Sequence, residues 1–525
     1  AAAAAADSGS QDEGTCDAAS GKCSPSAGAS EADLSWEPKT ISVILPCAGE
    51  GDFARKTVES VAASIPGGAG GGILADIVVV DDGSNPPLRE ALTQEWRTRY
   101  GVRLLRHDKT KGLIKAKSAG GAKATGDLLV FFDCHVAPQE DWYSEFFKAS
   151  APNYRRIVVP KITEVDIDTW KEMRRSNSVS KCYLTWDADF KWLQSNDPYI
   201  PILSGGLLGI SRRWWNETGG YDKSMKDWGG ENIDQSLRTW LCGGEIVSVP
   251  TAAVAHMWRK PDEDKRTTAK YQINVMNTLI NRARAATGWY DNFTVKLNDY
   301  PDFQYIKQQV RLDTTSFTEV RDRLGCKPFA WFLWRFRDVY VGGGILPKET
   351  FQIQHVKSKK CLTFDGPAGT HPEGSAGILL HPCESDEPYR NSRWPVPNLN
   401  AQRWHGANQI PGKSGDCCSG FRVWNTDQCL AVTANLGTTV CDVQGRSDQL
   451  WKFIDETDEK FAPGQLLFRG RCLAKSGGQL IAGECKLVQP GKKTAPPMWR
   501  KIAFLRPVET ELYEAALRER PELFV

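Results

Sequence analysis

One pattern occurs three times between Cys361 and Trp499: a Cys-Leu pair, a second cysteine, then a tryptophan. The first copy runs Cys361-Leu362, Cys383, Gln402-Arg403-Trp404; the second runs Cys429-Leu430, Cys441, Gln449-Leu450-Trp451; the third runs Cys472-Leu473, Cys485, Met498-Trp499. A repeat this short cannot bury an apolar face by itself, so three copies specify three similar β units around one shared core. Helical periodicity is scarce throughout this stretch. The character changes near Ile345-Leu346-Pro347, which sets a linker at 345–350 and an all-β unit at 351–505. Eight of the 15 cysteines fall in that unit, and Cys361/Cys383, Cys429/Cys441 and Cys472/Cys485 recur as pairs. Stapled loops of this kind imply an oxidising compartment, the alternative being a reduced, thiol-rich surface. The partners of Cys16, Cys23, Cys417 and Cys418 stay open at this level.

The preceding unit, 39–344, reads differently. Ile41 to Leu45 is a short β-branched run, Phe53 to Ile65 has helical spacing, and Ile73 to Val80 is a second buried strand ending in Asp81-Asp82-Gly83-Ser84. A helix over Leu88–Tyr100, a strand over Val102–Leu105, a helix over Leu113–Ala124 and a strand over Asp127–Phe132 follow. Near-continuous apolar strands alternating with helices specify a mostly parallel sheet covered on both faces. Such sheets bind ligands beyond the carboxyl ends of their strands, where Asp81, Asp82, Asp133 and His135 stand.

Charge narrows the partners. Lys plus Arg number 66 against 64 Asp plus Glu, a formal charge of +2. That excludes nucleic-acid or membrane binding through bulk charge. No apolar run approaches the ~20 residues that span a bilayer, and Ala1–Ala6 is neither signal peptide nor anchor. Residues 1–38, rich in Ala, Gly, Ser and acids, are expected to form a disordered stalk. The tail, 506–525, is expected to hold a short charged helix from Glu511. Sequons at Asn216-Glu217-Thr218 and Asn292-Phe293-Thr294 fit a secretory route, though such tripeptides also arise by chance.

Three clusters carry chemistry. Asp133-Cys134-His135 follows a strand directly, so a carboxylate and an imidazole can share a cation; oxygen and nitrogen together suit Mn²⁺ or a similar divalent ion. The competing reading makes Asp133 a turn cap and His135 a surface polar group. Ser204-Gly205-Gly206, Gly219-Gly220-Tyr221-Asp222 and Trp228-Gly229-Gly230-Glu231-Asn232 let backbone approach a ligand. Glu231 either stabilises a helix N-terminus or meets a sugar hydroxyl beside Trp228. His256-Met257-Trp258-Arg259 follows a third strand and supplies an imidazole and a phosphate-pairing guanidinium.

In this order the motifs resemble those of the polypeptide N-acetylgalactosaminyltransferases: VVVDDGS at 78–84, GLIKAK at 112–117, FFDCHV at 131–136, SGGLLGI at 204–210, GGYD at 219–222, WGGEN at 228–232, RTWLCGG at 238–244, HMWR at 256–259 and GCKPFAWFL at 325–333. The threefold repeat with Gln-x-Trp is similar to a ricin-type β-trefoil lectin. The resemblance spans about 40–500 and implies an α/β architecture: a GT-A catalytic domain, Rossmann-like, followed by the all-β trefoil.

It also implies roles. Asp82 would bind the uracil of UDP-GalNAc; Asp133, His135 and His256 would hold Mn²⁺; Gly205 and Gly206 would contact the donor through backbone, with Asn232 in the same donor-binding set. Glu231 would contact the sugar, Trp228 would line the pocket, and Arg259 would neutralise the departing diphosphate. Lys115 stands where the family usually has Arg, keeping charge but losing the planar fork. The implied reaction is retaining transfer of GalNAc to Ser or Thr hydroxyls of proteins or glycopeptides, in the Golgi lumen or after secretion, with any membrane anchor outside this chain. The resemblance also leaves room for another UDP-sugar or acceptor, or for a degenerate glycan- or peptide-binding protein. Two segments depart from the family pattern: SKCYLTWDADFKWL, in the acceptor region, and KPDEDKRTTAKYQ after Arg259, in the lid region. In the trefoil, Thr363, Ala431 and Ala474 stand where sugar sites usually carry Asp, leaving Asp365 as the candidate for glycan binding.

Overall fold

The computed structural model describes residues 34–173, 179–366, 376–384, 399–406, 420–433, 435–441, 449–489 and 496–524. The N-terminal unit is built on strand β1 (Ile41–Cys47), buried at every position. It is followed by helix α1 (Asp52–Ala63), β2 (Leu74–Asp82), α2 (Gln94–Tyr100), β3 (Val102–His107), α3 (Leu113–Gly121) and β4 (Leu128–Phe131). Then come β5 (Val136–Pro138), α4 (Trp142–Ser150), β6 (Arg156–Asp166), the hairpin strands β7 (Cys182–Leu184) and β8 (Phe190–Trp192), and β9 (Leu208–Ser211). The unit continues through α5 (Arg212–Thr218), α6 (Glu231–Leu241), β10 (Glu245–His256) and α7 (Val275–Trp289).

The sheet order is β3-β2-β1-β4-β9-β6-β10-β5. β1 runs parallel to β2 and β4, β2 to β3, and β6 to β10, whereas β9 is antiparallel to both neighbours. Successive strand side chains point to opposite faces: Val43, Leu45, Leu128 and Val130 join one core, Ile44, Leu129 and Phe131 the other. Covering on both faces explains why the strands read as apolar runs.

Two expected boundaries shift. The helix expected over Leu88–Tyr100 is two helices, Leu88–Ala91 and α2, separated where the Thr93 hydroxyl accepts from the Trp96 amide at 3.3 Å. The stalk expected over 1–38 lies mostly outside the described residues, but its last part belongs to the fold: Trp36 Nε1 donates to Ser150 O at 2.7 Å, and Tyr154 N donates to Leu34 O at 2.8 Å. A lone indole in a polar stretch has enough apolar area to dock.

The C-terminal β unit shares one core of Phe351, Ile353, Leu362, Trp404, Leu430, Trp451, Leu473 and Trp499 among others. The repeat has a hydrogen-bond counterpart: Trp404 Nε1 donates to Leu362 O at 3.0 Å and Trp499 Nε1 to Leu473 O at 2.8 Å. Gln402 and Gln449 each donate to the carbonyl just before their repeat's second cysteine, Pro382 at 2.9 Å and Val440 at 2.7 Å. The three expected cysteine pairs are disulfides. Thr363 is buried and its hydroxyl donates to Cys361 O at 3.0 Å, so that position serves the repeat's own packing, while Asp365 is exposed. Cys16, Cys23, Cys417 and Cys418 lie outside the described residues. The last helix, Val508–Glu519, packs on the N-terminal unit through Leu512, Tyr513, Ala516 and Leu517. No helix of the described residues is long and apolar enough to cross a membrane.

Candidate active site

The site forms where β1, β2, β4 and β10 end. Asp133 and His135 leave β4, and His256 closes β10, whose antiparallel pairing with β5 sets His256 opposite Val136. One ligand atom from each of Asp133, His135 and His256 lies within 4.8 Å of the others, so the three residues read as metal ligands are brought together. His256 Nε2 is 3.1 Å from Asp133 Oδ2, and the two imidazole centroids are 4.9 Å apart. Buried Nδ1 atoms of His135 and His256 lack a hydrogen-bond partner in the described structure. One carboxylate and two imidazoles fit Mn²⁺ or a similar ion. Burial alone would raise the Asp133 pKa, but the His256 hydrogen bond and the charges of His256, His135 and Lys117 reverse that and hold it well below the usual range. Burial pushes His256 below its ordinary value, against the pull of Asp133.

The glycine pair has a local reason. A Cβ on Gly206 would sit 2.7 Å from Asp133 Oδ2, and Gly205 has φ +98°, which disfavours a side chain. Asn232 Nδ2 donates to Leu203 O at 2.9 Å and props this loop.

Two joined cavities flank the triad. One, about 400 Å³, is lined by Asp82, Asp133, His135, Trp228, His256 and Arg259 among others. The second, about 500 Å³, shares Leu113, Asp133 and Trp228 with it and adds Gly205, Gly206, Glu231, Asn232 and the hairpin residues Phe190–Trp192. Glu231 opens α6 and is buried; burial raises its pKa, and the Lys117 charge opposes the rise. Glu231 lines the second cavity, and its buried Oε2 has no hydrogen-bond partner in the described structure. Trp228 is 37% exposed, a bare ring at the junction of the two spaces.

Three placements differ from the expectation. Lys115 lines neither cavity and donates instead to Lys223 O. The cation inside is Lys117, fully buried, with Nζ 2.5 Å from Gly205 O and 4.0 Å from Glu231 Oε1. On α3 the positions 113 and 117 share one face, and Leu113 and Lys117 both line the second cavity. The carboxylate of Asp82 is already occupied: it pairs with His107 Nδ1 at 2.6 Å and accepts from Lys111 N at 2.9 Å and Gly112 N at 2.8 Å. These bonds shape the loop into α3 while Asp82 also lines the first cavity. Arg259 lines the first cavity, but its Nη2 is 2.5 Å from Glu50 Oε1, which also lies 3.4 Å from His135 Nδ1. Glu50, buried between Gly49 and Gly51, carries no motif in the sequence.

The triad is also stapled. Cys47, ending β1, is bonded to Cys134, between the two ligands of its loop. Replacing both cysteines by Ala is expected to lower stability by about 2–4 kcal/mol and to weaken Mn²⁺ binding, read by thermal melting with and without the ion. Unchanged melting and unchanged ion response would show the staple to be idle. A further bridge, Cys242–Cys326, ties the end of α6 to the segment before helix Phe329–Arg335.

A sheet of this order, with a metal-type triad and a glycine loop at its strand ends, defines the GT-A class of glycosyltransferases. Residues 42–218 match the profile of Glycosyl transferase family 2, and 194–260 that of the N-terminal domain of galactosyltransferase. The chain is 32% identical over 425 residues to Probable N-acetylgalactosaminyltransferase 9 of Caenorhabditis elegans, covering 73% of this chain and 71% of that protein. It is 29% identical over 435 residues to Polypeptide N-acetylgalactosaminyltransferase 8 of Drosophila melanogaster, covering 73% and 70%. Several other relatives are matched over about half their own length. The fold is that of the crystal structure of GalNAc-T7 with UDP, GalNAc and Mn²⁺, at a TM-score of 0.53 and 22% identity over 90% of this chain and 82% of that one. The chain belongs to the polypeptide N-acetylgalactosaminyltransferase family.

Proposed function

We propose that this chain is a retaining transferase that moves GalNAc from UDP-GalNAc to Ser or Thr hydroxyls of protein acceptors, with Mn²⁺. The observation that carries this reading is the Asp133, His135 and His256 triad set between two joined cavities, one suited to a nucleotide diphosphate and one to a sugar. Bound there, Mn²⁺ would supply charge neutralisation at the diphosphate. The chain's own residues do the rest. Arg259, exchanging Glu50 for phosphate, pairs with the charge that grows on the leaving group. Lys117 adds a fixed positive charge beneath the sugar cavity and holds the Gly205 carbonyl. Glu231 accepts from a sugar hydroxyl through its free Oε2, and Trp228 covers the ring and keeps water out. Glu231 thus positions the donor. Same-face attack, with the leaving phosphate taking the acceptor proton, needs no second carboxylate.

The domain limits that support this reading are a transferase unit ending near 344 and a trefoil over 351–505, with Asp365 the exposed candidate for weak glycan contact. The five described disulfides suit a lumenal setting such as the Golgi. The test is UDP release from a panel of UDP-sugars, with and without Ser/Thr peptides and Mn²⁺. The expected result is release from UDP-GalNAc that needs the ion and is stimulated by peptide. Preference for another sugar would change the donor assignment, and no release with any acceptor would leave the chain a binding protein.

A further inference from the structure

We propose that the second trefoil repeat positions the acceptor wall of the transferase site, through a contact between Asp427 and Tyr183. This rests on the transferase reading above. The hairpin β7–β8 pairs Cys182 with Trp192, Tyr183 with Lys191 and Leu184 with Phe190, and it stands apart from the main sheet. Its tip and second strand, Ala188 to Trp192, line the second cavity together with Glu231 and Trp228. An isolated two-stranded hairpin is marginal at best, so its place must be fixed by what it touches.

Part of that fixing comes from the trefoil. Tyr183 Oη donates to Asp427 Oδ1 at 3.0 Å, and both residues are 1% exposed. Leu184 N donates to Tyr340 Oη at 3.0 Å, and Trp186 Nε1 donates to Ile345 O at 2.8 Å, so the segment leading to the trefoil holds the hairpin as well. On the transferase side, Arg282 Nε donates to Ala188 O at 2.9 Å, and Ile202 N donates to Cys182 O at 3.0 Å. Asp427 is itself clamped by Arg422 Nη2 at 2.6 Å, within the trefoil. It precedes Gln428-Cys429-Leu430, the start of the second repeat, whose Ala431 offers no carboxylate to a sugar. Asp427 faces the transferase instead. The second repeat is therefore a buttress, and displacing it moves the surface an acceptor peptide meets while the triad and the donor loop stay in place.

Tyr183→Phe removes the hydroxyl and leaves the Asp427–Arg422 pair intact. The expected result is a rise in acceptor KM of about tenfold, the size of one lost buried hydrogen bond, with kcat and peptide-independent UDP-GalNAc hydrolysis unchanged. Asp427→Ala, approached from the trefoil, should give the same split. Hydrogen exchange on the full chain is the companion measurement: amides of 182–192 should exchange faster in both variants, with those of 128–131 unaffected. This second readout needs no turnover, so it decides the coupling even if wild type releases no UDP. Unchanged exchange in the hairpin, or hydrolysis falling in step with transfer, would overturn the proposal.

Discussion

His256→Ala is expected to lower sugar transfer by at least about a thousandfold, the scale on which charge stabilisation at a leaving group acts. It should do so while leaving the melting temperature of the ion-free protein nearly unchanged. The ring closes the triad from β10, 3.1 Å from Asp133, and besides His135 no other imidazole in the described residues lies in that cluster. The direct measurement is Mn²⁺ binding by electron paramagnetic resonance, which should be weakened in the variant and restored by no change of pH. The pH dependence of the wild type follows from burial. Burial, more than any neighbour, pushes His256 below its ordinary value of 6.5, and Asp133 stays ionised. At His256, protons should therefore compete with the ion only once the pH drops below that value. A variant that binds Mn²⁺ and turns over like wild type would remove residue 256 from the site.

The triad was legible because each ligand follows a strand, and strand ends in an α/β sheet converge. The repeat was legible because Cys, Leu and Trp recur in one order, and Gln402, Gln449, Trp404 and Trp499 each find a partner inside the β unit. What escaped depends on direction and on distance. Lys115 and Lys117 are equivalent in a motif, but a helix turns them to different faces, and only Lys117 enters the cavity. Asp82 is at the right strand end, yet the amides of Lys111 and Gly112, beyond β3, donate to its oxygens, which no spacing rule reveals. Glu50 stands far from Arg259 and His135 along the chain and meets them only after folding. The same holds for Cys47 with Cys134 and for Tyr183 with Asp427, whose partners are set by topology and not by local pattern.

Long-range pairing of that kind sets the second large effect: Lys296→Met is expected to destabilise the folded chain by roughly 3–5 kcal/mol, because it strands buried anions. Lys296 is fully buried where transferase, trefoil and C-terminal helix meet. Its ammonium lies 2.7 Å from Glu509, 3.0 Å from Asp299 and 2.6 Å from Asn425 Oδ1, and 4.4 Å from the centre of the Trp424 ring. Trp424 Nε1 in turn donates to Glu509 at 3.3 Å, and Asn425 Nδ2 to Asp299 at 3.1 Å. Removing the cation leaves those groups facing one another in a largely buried space. Adding Glu509→Gln to Lys296→Met should recover part of the loss, since the most buried anion is then neutral; a double variant no more stable than the single one would show that packing, not charge, holds the joint. Burial works to depress the lysine's pKa, but Glu509 and Asp299 outweigh it and the net shift is upward from 10.5. A raised lysine stabilises fully below its unfolded value and loses that contribution as the pH climbs through the folded one. Wild type should therefore melt progressively earlier above about pH 10.5, and Lys296→Met should lack that part of the alkaline slope. Parallel slopes in the two proteins would mean the ammonium is not what binds the three parts together.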